Sequence, residues 1–207
     1  MMRVFLAVEL SQGLRDAIAS FQAEMRRRLQ KELAEEARIS WVQPASIHLT
    51  VKFLGDIDEQ LVPPLCETVA QAVRRLQAVV VPVDRPGAFP RPQAPRVLWL
   101  GPSQEWERGD ETRRLALIQQ SIEQTCKEFG FPRETKPFNP HLTLARIKEG
   151  ERPVGNALAR SGLMDRPVTL GSVTVDSVVL MKSDLRPTGS VYTKLWEAKV
   201  GSGLGQI

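Results

Sequence analysis

The 207-residue chain is 42% hydrophobic and 25% charged, with a formal net charge of +4, the composition of an ordinary globular protein with a mild preference for anionic partners. Its two cysteines, Cys66 and Cys126, lie far apart with neither a CxxC nor a Cys/His cluster, a pattern that excludes a disulfide framework or a zinc site and fits a reducing cytoplasm. The opening run MMRVFLAVEL is too short for a membrane span and passes into SQGLRDAIASF without a small-residue cleavage pattern, so neither an anchor nor a signal peptide is expected.

RVFLAVEL (3–10) is β-branched and apolar enough for a buried strand. Ser11 then offers an N-cap to a helix from Gln12 to about Ala37, with Leu14, Ile18, Phe21, Met25 and Leu29 at helical spacing. The basic run Arg26 to Arg28 is mixed with acids and reads as a solvated helix face. ISWVQPASIHLTVKFLG is extended, interrupted at Pro44 and closed by Gly55, and DIDEQLVPPLCETVAQAVRRLQ predicts a second helix entered near Asp58 or the Pro pair. VVVPVDRPGAFP and PRVLWLG predict two strands around a Pro-rich loop. A third helix runs from Asp110 to Phe129, with Leu115, Ile118, Ile122, Cys126 and Phe129 inward and Gly130 and Pro132 ending it. PFNPHLTLARI is again extended, and a short helix is expected between Pro153 and Leu163. VTLGSVTVDSVVLMKS and SVYTKLWEAKV alternate as strands around an LRPTG turn, and the tail at 201–207 predicts a flexible end. The order describes an α+β chain, one domain of two similar lobes whose boundary the sequence does not mark, each lobe a small sheet backed by a helix.

Both histidines fall in one pattern, IHLTVKF at 47–53 and PHLTLAR at 140–146. In a strand, alternation turns Ile47, Leu49, Val51 and Phe53 one way and His48, Thr50 and Lys52 the other; His141 and Thr143 repeat the arrangement. If the halves are related by a pseudo-twofold, the two His-Thr faces meet across a groove. Facing imidazoles suit a displacement in which one oxygen loses a proton while another gains one, as in phosphodiester hydrolysis or transesterification. Thr50 and Thr143 supply hydroxyl donors for the non-bridging oxygens. A structural histidine in a half-buried strand is the bland alternative, but it must hold twice and leaves the shared Thr unexplained. Two histidines without a nearby Cys or carboxylate are too few ligands for a typical metal site. Neither a Gly-x-Ser-x-Gly elbow nor a phosphate-binding GxxxxGK[ST] loop is present.

These paired motifs, with RVFLAVEL, FPRPQAPRVLWLG and the closing VVLMKSDLRPTGSVYTKL, resemble the two-histidine (2H) phosphoesterases, and within them the RNA 2',3'-cyclic phosphodiesterase or 2'-5' RNA ligase family. The resemblance implies a bilobal fold with antiparallel sheets, helices on the outer faces and a central cleft, with His48 and His141 as acid and base in an unassigned order. It further implies Thr50 and Thr143 on the phosphate, Arg146 helping to hold it, no metal or other cofactor, and a monomer acting on RNA ends or nucleotide 2',3'-cyclic phosphates. Phe53 occupies the place after His48 that Arg146 occupies after His141, where an aromatic can stack on a base. Strict alternation puts both on the core side, so a bulge or the strand end must re-aim them. Arg96, Trp99 and Tyr192 are explained by surface charge or packing. A binding module that has kept the cleft, and an enzyme for another small cyclic phosphate or a 2'-5' oligonucleotide, remain alternatives.

Overall fold

Strand β1 (Met2–Val8) is buried on both faces. Val4, Leu6 and Val8 join the main apolar core, while Phe5 and Ala7 form a second cluster with Val179 and Met181 on the opposite side. That position explains the near-continuous apolar run of its sequence. The computed structural model describes residues 1–34, 36–186 and 189–201. The remaining elements, in order, are α1 (Gln12–Glu32), β2 (Arg38–Trp41), β3 (Leu49–Ile57), α2 (Val62–Val73), β4 (Val79–Pro82), β5 (Arg85–Phe89), β6 (Val97–Gly101), α3 (Asp110–Glu128), β7 (Leu142–Glu149), α4 (Glu151–Ser161), β8 (Ser172–Val175), β9 (Ser177–Arg186) and β10 (Gly189–Lys199).

Eight strands make one sheet in the order β10, β9, β1, β3, β7, β6, β5, with β2 also on β7; β4 and β8 form a separate ribbon. Every pairing is antiparallel. The α+β architecture with two similar halves is therefore present, and the halves meet inside the sheet, where Leu49 of β3 pairs with Leu142 of β7. Helices cover one face. α1 packs with α4 and α2 with α3. Although α1 follows β1, its Gln22 donates to the carbonyls of Val42 (2.8 Å) and Leu144 (3.0 Å), on the β7 side of the junction. α3 in turn packs on β3. This crossing interlocks the halves and leaves the other face of the sheet open as a cleft.

Three predicted boundaries move. Helix α1 begins as expected, with the Ser11 hydroxyl accepting from the Leu14 amide, but ends at Glu32. There Leu33 turns extended and Arg160 of α4 donates to the Glu32 carbonyl, satisfying an acceptor that a continuing helix would have used. The run VVVPVDRPGAFP is two strands in two sheets. Consecutive amides go to different partners, Val83 to the Gly171 carbonyl and Asp84 to that of Gly101, so the chain changes sheet between them. Gly55 does not close β3; it takes φ +77° at a bulge inside the strand, where Val4 pairs with Gly55 and Phe5 with Phe53. The LRPTG turn contains Pro187 and Thr188, and the tail expected at 201–207 is described only at Gly201, whose amide donates to the Val73 carbonyl; the rest of both predictions lies outside the described residues.

Candidate active site

Leu49 and Leu142 turn into the core, each 2% exposed. Their sequence neighbours His48, Thr50, His141 and Thr143 therefore turn to the cleft, where all four are half-buried. An antiparallel register centred on the leucine pair sets His48 across from Thr143 and Thr50 across from His141. The imidazoles occupy one diagonal of this rectangle and the hydroxyls the other. Backbone positions on such a diagonal lie about 7–8 Å apart, so two rings rising from them can flank one tetrahedral phosphate.

The two rings are held alike. His48 Nδ1 lies 2.8 Å from the Ser46 carbonyl and His141 Nδ1 lies 2.8 Å from the Asn139 carbonyl. A carbonyl only accepts, so each Nδ1 carries a hydrogen and each Nε2 is left to take or give a proton. Burial is the largest influence on both, holding the imidazoles below the ordinary histidine value. The carbonyl contacts act upward, and the Arg146 charge pushes both down again; His48 also feels His141.

Past the threonines, both motifs break alternation at the same step. Leu6 pairs with Lys52 and Ala7 with Thr50, which makes Val51 the extra residue of a bulge. Leu98 pairs with Ala145 and Trp99 with Thr143, which makes Leu144 its counterpart. Val51 and Lys52 are consequently both buried, as are Leu144 and Ala145, and the next residue of each strand swings back to the cleft. Phe53 is 55% exposed there, and Arg146 is exposed as well. The re-aiming that alternation demanded is thus carried by paired bulges.

Lys52 moves the other way. Spacing put it on the face of His48, but the bulge turns it inward, 2% exposed. Its ammonium donates to Glu123 of α3 (3.0 Å) and to the Pro132 carbonyl (2.6 Å). Glu123 also accepts from the Gln119 side chain and the Glu134 amide. A buried ammonium needs such partners, and they tie α3 and the chain leading to His141 onto the first motif strand.

Aromatic rings pack against both histidines. Phe5 stacks on His48 with centroids 4.6 Å apart, and Tyr192 meets the same imidazole edge-on at 5.1 Å. On the other side Phe89 stands edge-on to His141 at 5.1 Å and stacks on Trp99, whose outer face carries the Arg85 guanidinium. Gly87 is required beneath that ring, because a Cβ there would overlap Trp99. Sequence reasoning left Tyr192 and Trp99 to packing and did not single out Phe5 or Phe89. Alternation within β1 held the signal for Phe5, since it faces away from Val4 and Leu6. Arg96 pairs with Glu151 at 3.7 Å on the rim of the His141 side.

The cleft has two arms that adjoin at Thr50 and Phe53. One, of about 1320 Å³, holds His141 with Phe89, Phe138, Lys136 and Arg152 on its walls. The other, of about 1070 Å³, holds His48, Thr143, Arg146, Tyr192 and Trp41. Among the described residues no three His, Cys, Asp or Glu side chains gather as a metal set, and no helix is long and apolar enough to cross a membrane.

Residues 8–99 and 109–192 match the family model of LigT-like phosphoesterases. An RNA 2',3'-cyclic phosphodiesterase of Methanothermobacter thermautotrophicus is 30% identical over 193 residues, covering 93% of this chain and 96% of that protein. One from Aeropyrum pernix is 34% identical over 161 residues, 78% of this chain and 86% of its own. Among solved structures, TT0787 of Thermus thermophilus superposes with a TM-score of 0.69 at 26% identity, covering 97% of this chain and 98% of that one.

Proposed function

The chain belongs to the LigT-like phosphoesterase family, and from that premise we propose that it hydrolyses RNA 2',3'-cyclic phosphate ends to 2'-phosphates, with His48 and His141 as the acid–base pair. Water attacks phosphorus while the Nε2 of one neutral imidazole takes its proton. The bond from phosphorus to O3' breaks, and the Nε2–H of the opposite imidazolium delivers a proton to O3', leaving the phosphate on O2'. Charge that builds on the non-bridging oxygens meets the hydroxyls of Thr50 and Thr143 on the other diagonal and the Arg146 guanidinium beside them. Phe53, exposed where the two arms adjoin, offers a ring face to the terminal base.

The observation that carries this reading is the diagonal of His48 and His141 around the Leu49–Leu142 pair, because a displacement at phosphorus needs proton transfer on opposite sides of one atom. A 5'-hydroxyl in place of water turns the same couple to 2'-5' joining of RNA ends. No step calls on a metal or a nucleotide cofactor. One copy of the chain carries both His-Thr couples, so a monomer is sufficient, and the buried free thiols of Cys66 and Cys126 suit a reducing cytoplasm. The test is to offer the pure protein nucleotides and RNAs ending in 2',3'-cyclic phosphate in EDTA and to identify the product isomer. The 2'-phosphate is expected; a 3'-phosphate, or saturable binding with no turnover, rejects the reading.

A further inference from the structure

The His48 arm of the cleft differs from the His141 arm in the acids that accompany its cations. Four cations line it, Arg3, Arg146, Lys148 and Arg186, and no acid among the described residues does. The His141 arm is basic too, with Lys52, Arg91, Arg96, Lys136 and Arg152, but Glu134 and Glu151 stand among them, and Lys52 and Arg96 are already paired with carboxylates. Of the acids close to the His48 arm in the sheet, Glu149 pairs with Arg38 and Asp184 with Lys182, while Asp56, across from Arg3 in the β1–β3 register, shares its face of the sheet just outside the lining. None of the four lining cations is ion-paired with a described carboxylate.

The topology explains why they converge. Arg3 precedes Phe5 on the cleft face of β1, and Lys148 follows Arg146 on the cleft face of β7 once the bulge has restored alternation. Arg186 comes from the β9–β10 hairpin, beside Leu185, which is 69% exposed. Trp41 and Tyr192 add aromatic surface between the charges. At about 1070 Å³ the arm matches or exceeds the upper end of small-molecule pockets, about 300–1,000 Å³. It is larger than the terminal nucleotide alone requires.

Resting on the functional reading above, we propose that this arm is the track for the single-stranded RNA upstream of the reacting end. Arg3, Lys148 and Arg186 take its phosphates and Trp41 its bases, while Arg146 and the histidines keep the cyclic phosphate. Unpaired cations interleaved with ring faces, in a groove open to the reacting centre, are what a flexible polyanion with stackable bases recognises. The same protein then discriminates a strand from a mononucleotide without any added domain.

The test measures binding apart from turnover. A fluorescein-labelled single-stranded hexamer ending in a 2'-phosphate is titrated against the wild-type chain and against the triple variant Arg3→Gln, Lys148→Gln, Arg186→Gln, at several salt concentrations, with a nucleoside 2'-phosphate and a blunt RNA duplex as competitors. The wild type is expected to prefer the hexamer to the mononucleotide by at least about tenfold. The triple variant should lose that preference and flatten the log–log salt slope by about 2, from about 0.7 per phosphate contact. A hexamer bound no tighter than the mononucleotide, a variant that binds like wild type, or a duplex that competes as well as the single strand overturns the proposal. Failure to turn over any cyclic phosphate overturns the functional reading instead, and the binding result still decides the track.

Discussion

Leu49 and Leu142 pair across the junction of β3 and β7, and their burial turns the residue just ahead of each strand, a histidine in both cases, onto the open face of the sheet. The imidazoles thus stand at the starts of neighbouring strands, where the paired leucines set their separation.

His48→Ala and His141→Ala are each expected to lower kcat on a 2',3'-cyclic phosphate by about 10²–10⁴, the usual contribution of a positioned acid or base. The double variant should be little worse than either single one, because the groups act on one transition state. Near wild-type turnover in either single variant removes that histidine from the chemistry. Circular dichroism of both should match the parent.

Both imidazoles are held below the ordinary histidine value in the free protein, chiefly by burial. The base must be neutral and the acid protonated, so lowered values move both limbs of the bell toward acid. The optimum of kcat/KM, which reports the free enzyme, is therefore expected below about pH 6.5. A bound phosphate anion favours the imidazolium and should carry the kcat profile to higher pH. A kcat/KM optimum above neutrality contradicts this account.

Arg146 bears on both histidines, and removing its charge favours their protonated forms. Arg146→Gln should raise both titration midpoints and shift the kcat/KM bell toward alkaline pH while reducing its height. With only two histidines in the chain, NMR titration reads each of them. Unmoved midpoints would show that the guanidinium is too far away to matter.

Breaking the buried pair of Lys52 and Glu123 on one side should be far worse than removing it whole. Lys52→Met strands a buried carboxylate and is expected to cost about 3–5 kcal/mol in denaturant unfolding, whereas Lys52→Met with Glu123→Leu should recover most of that loss. A Lys52→Met protein as stable as the parent would return Lys52 to the solvated face that alternation assigned it.

Most elements were legible in the sequence, because hydrophobic periodicity and capping signals are local: Ser11 starts α1, and the stripe of Leu115, Ile118, Ile122 and Cys126 faces inward along α3. The four motif residues were legible for the same reason, since alternation holds from His48 to Thr50 and from His141 to Thr143. What was missed depends on partners distant in the chain. The end of α1 is set by Arg160, and the division of VVVPVDRPGAFP by carbonyls at Gly101 and Gly171. Tyr192 and Phe89 reach the histidines only through strand order, which no local pattern encodes. Lys52 and Phe53 exchange faces because of a register shift that belongs to β1 as much as to β3.

Five is an odd step, and in a regular strand an odd step means opposite sides. The residue inserted at Val51, and again at Leu144, converts that step into an even one, so an imidazole and the side chain five places later look into the same space. The distance from His48 to Phe53 or from His141 to Arg146 is therefore a matter of parity more than of length. Almost any apolar residue can stand at Val51 or Leu144, and deleting either one would leave a step of four, which a regular strand already makes even, so the ring or the guanidinium would keep its side. What would send Phe53 or Arg146 into the core is straightening the strand with all five places kept, so the count and the kink can only change together.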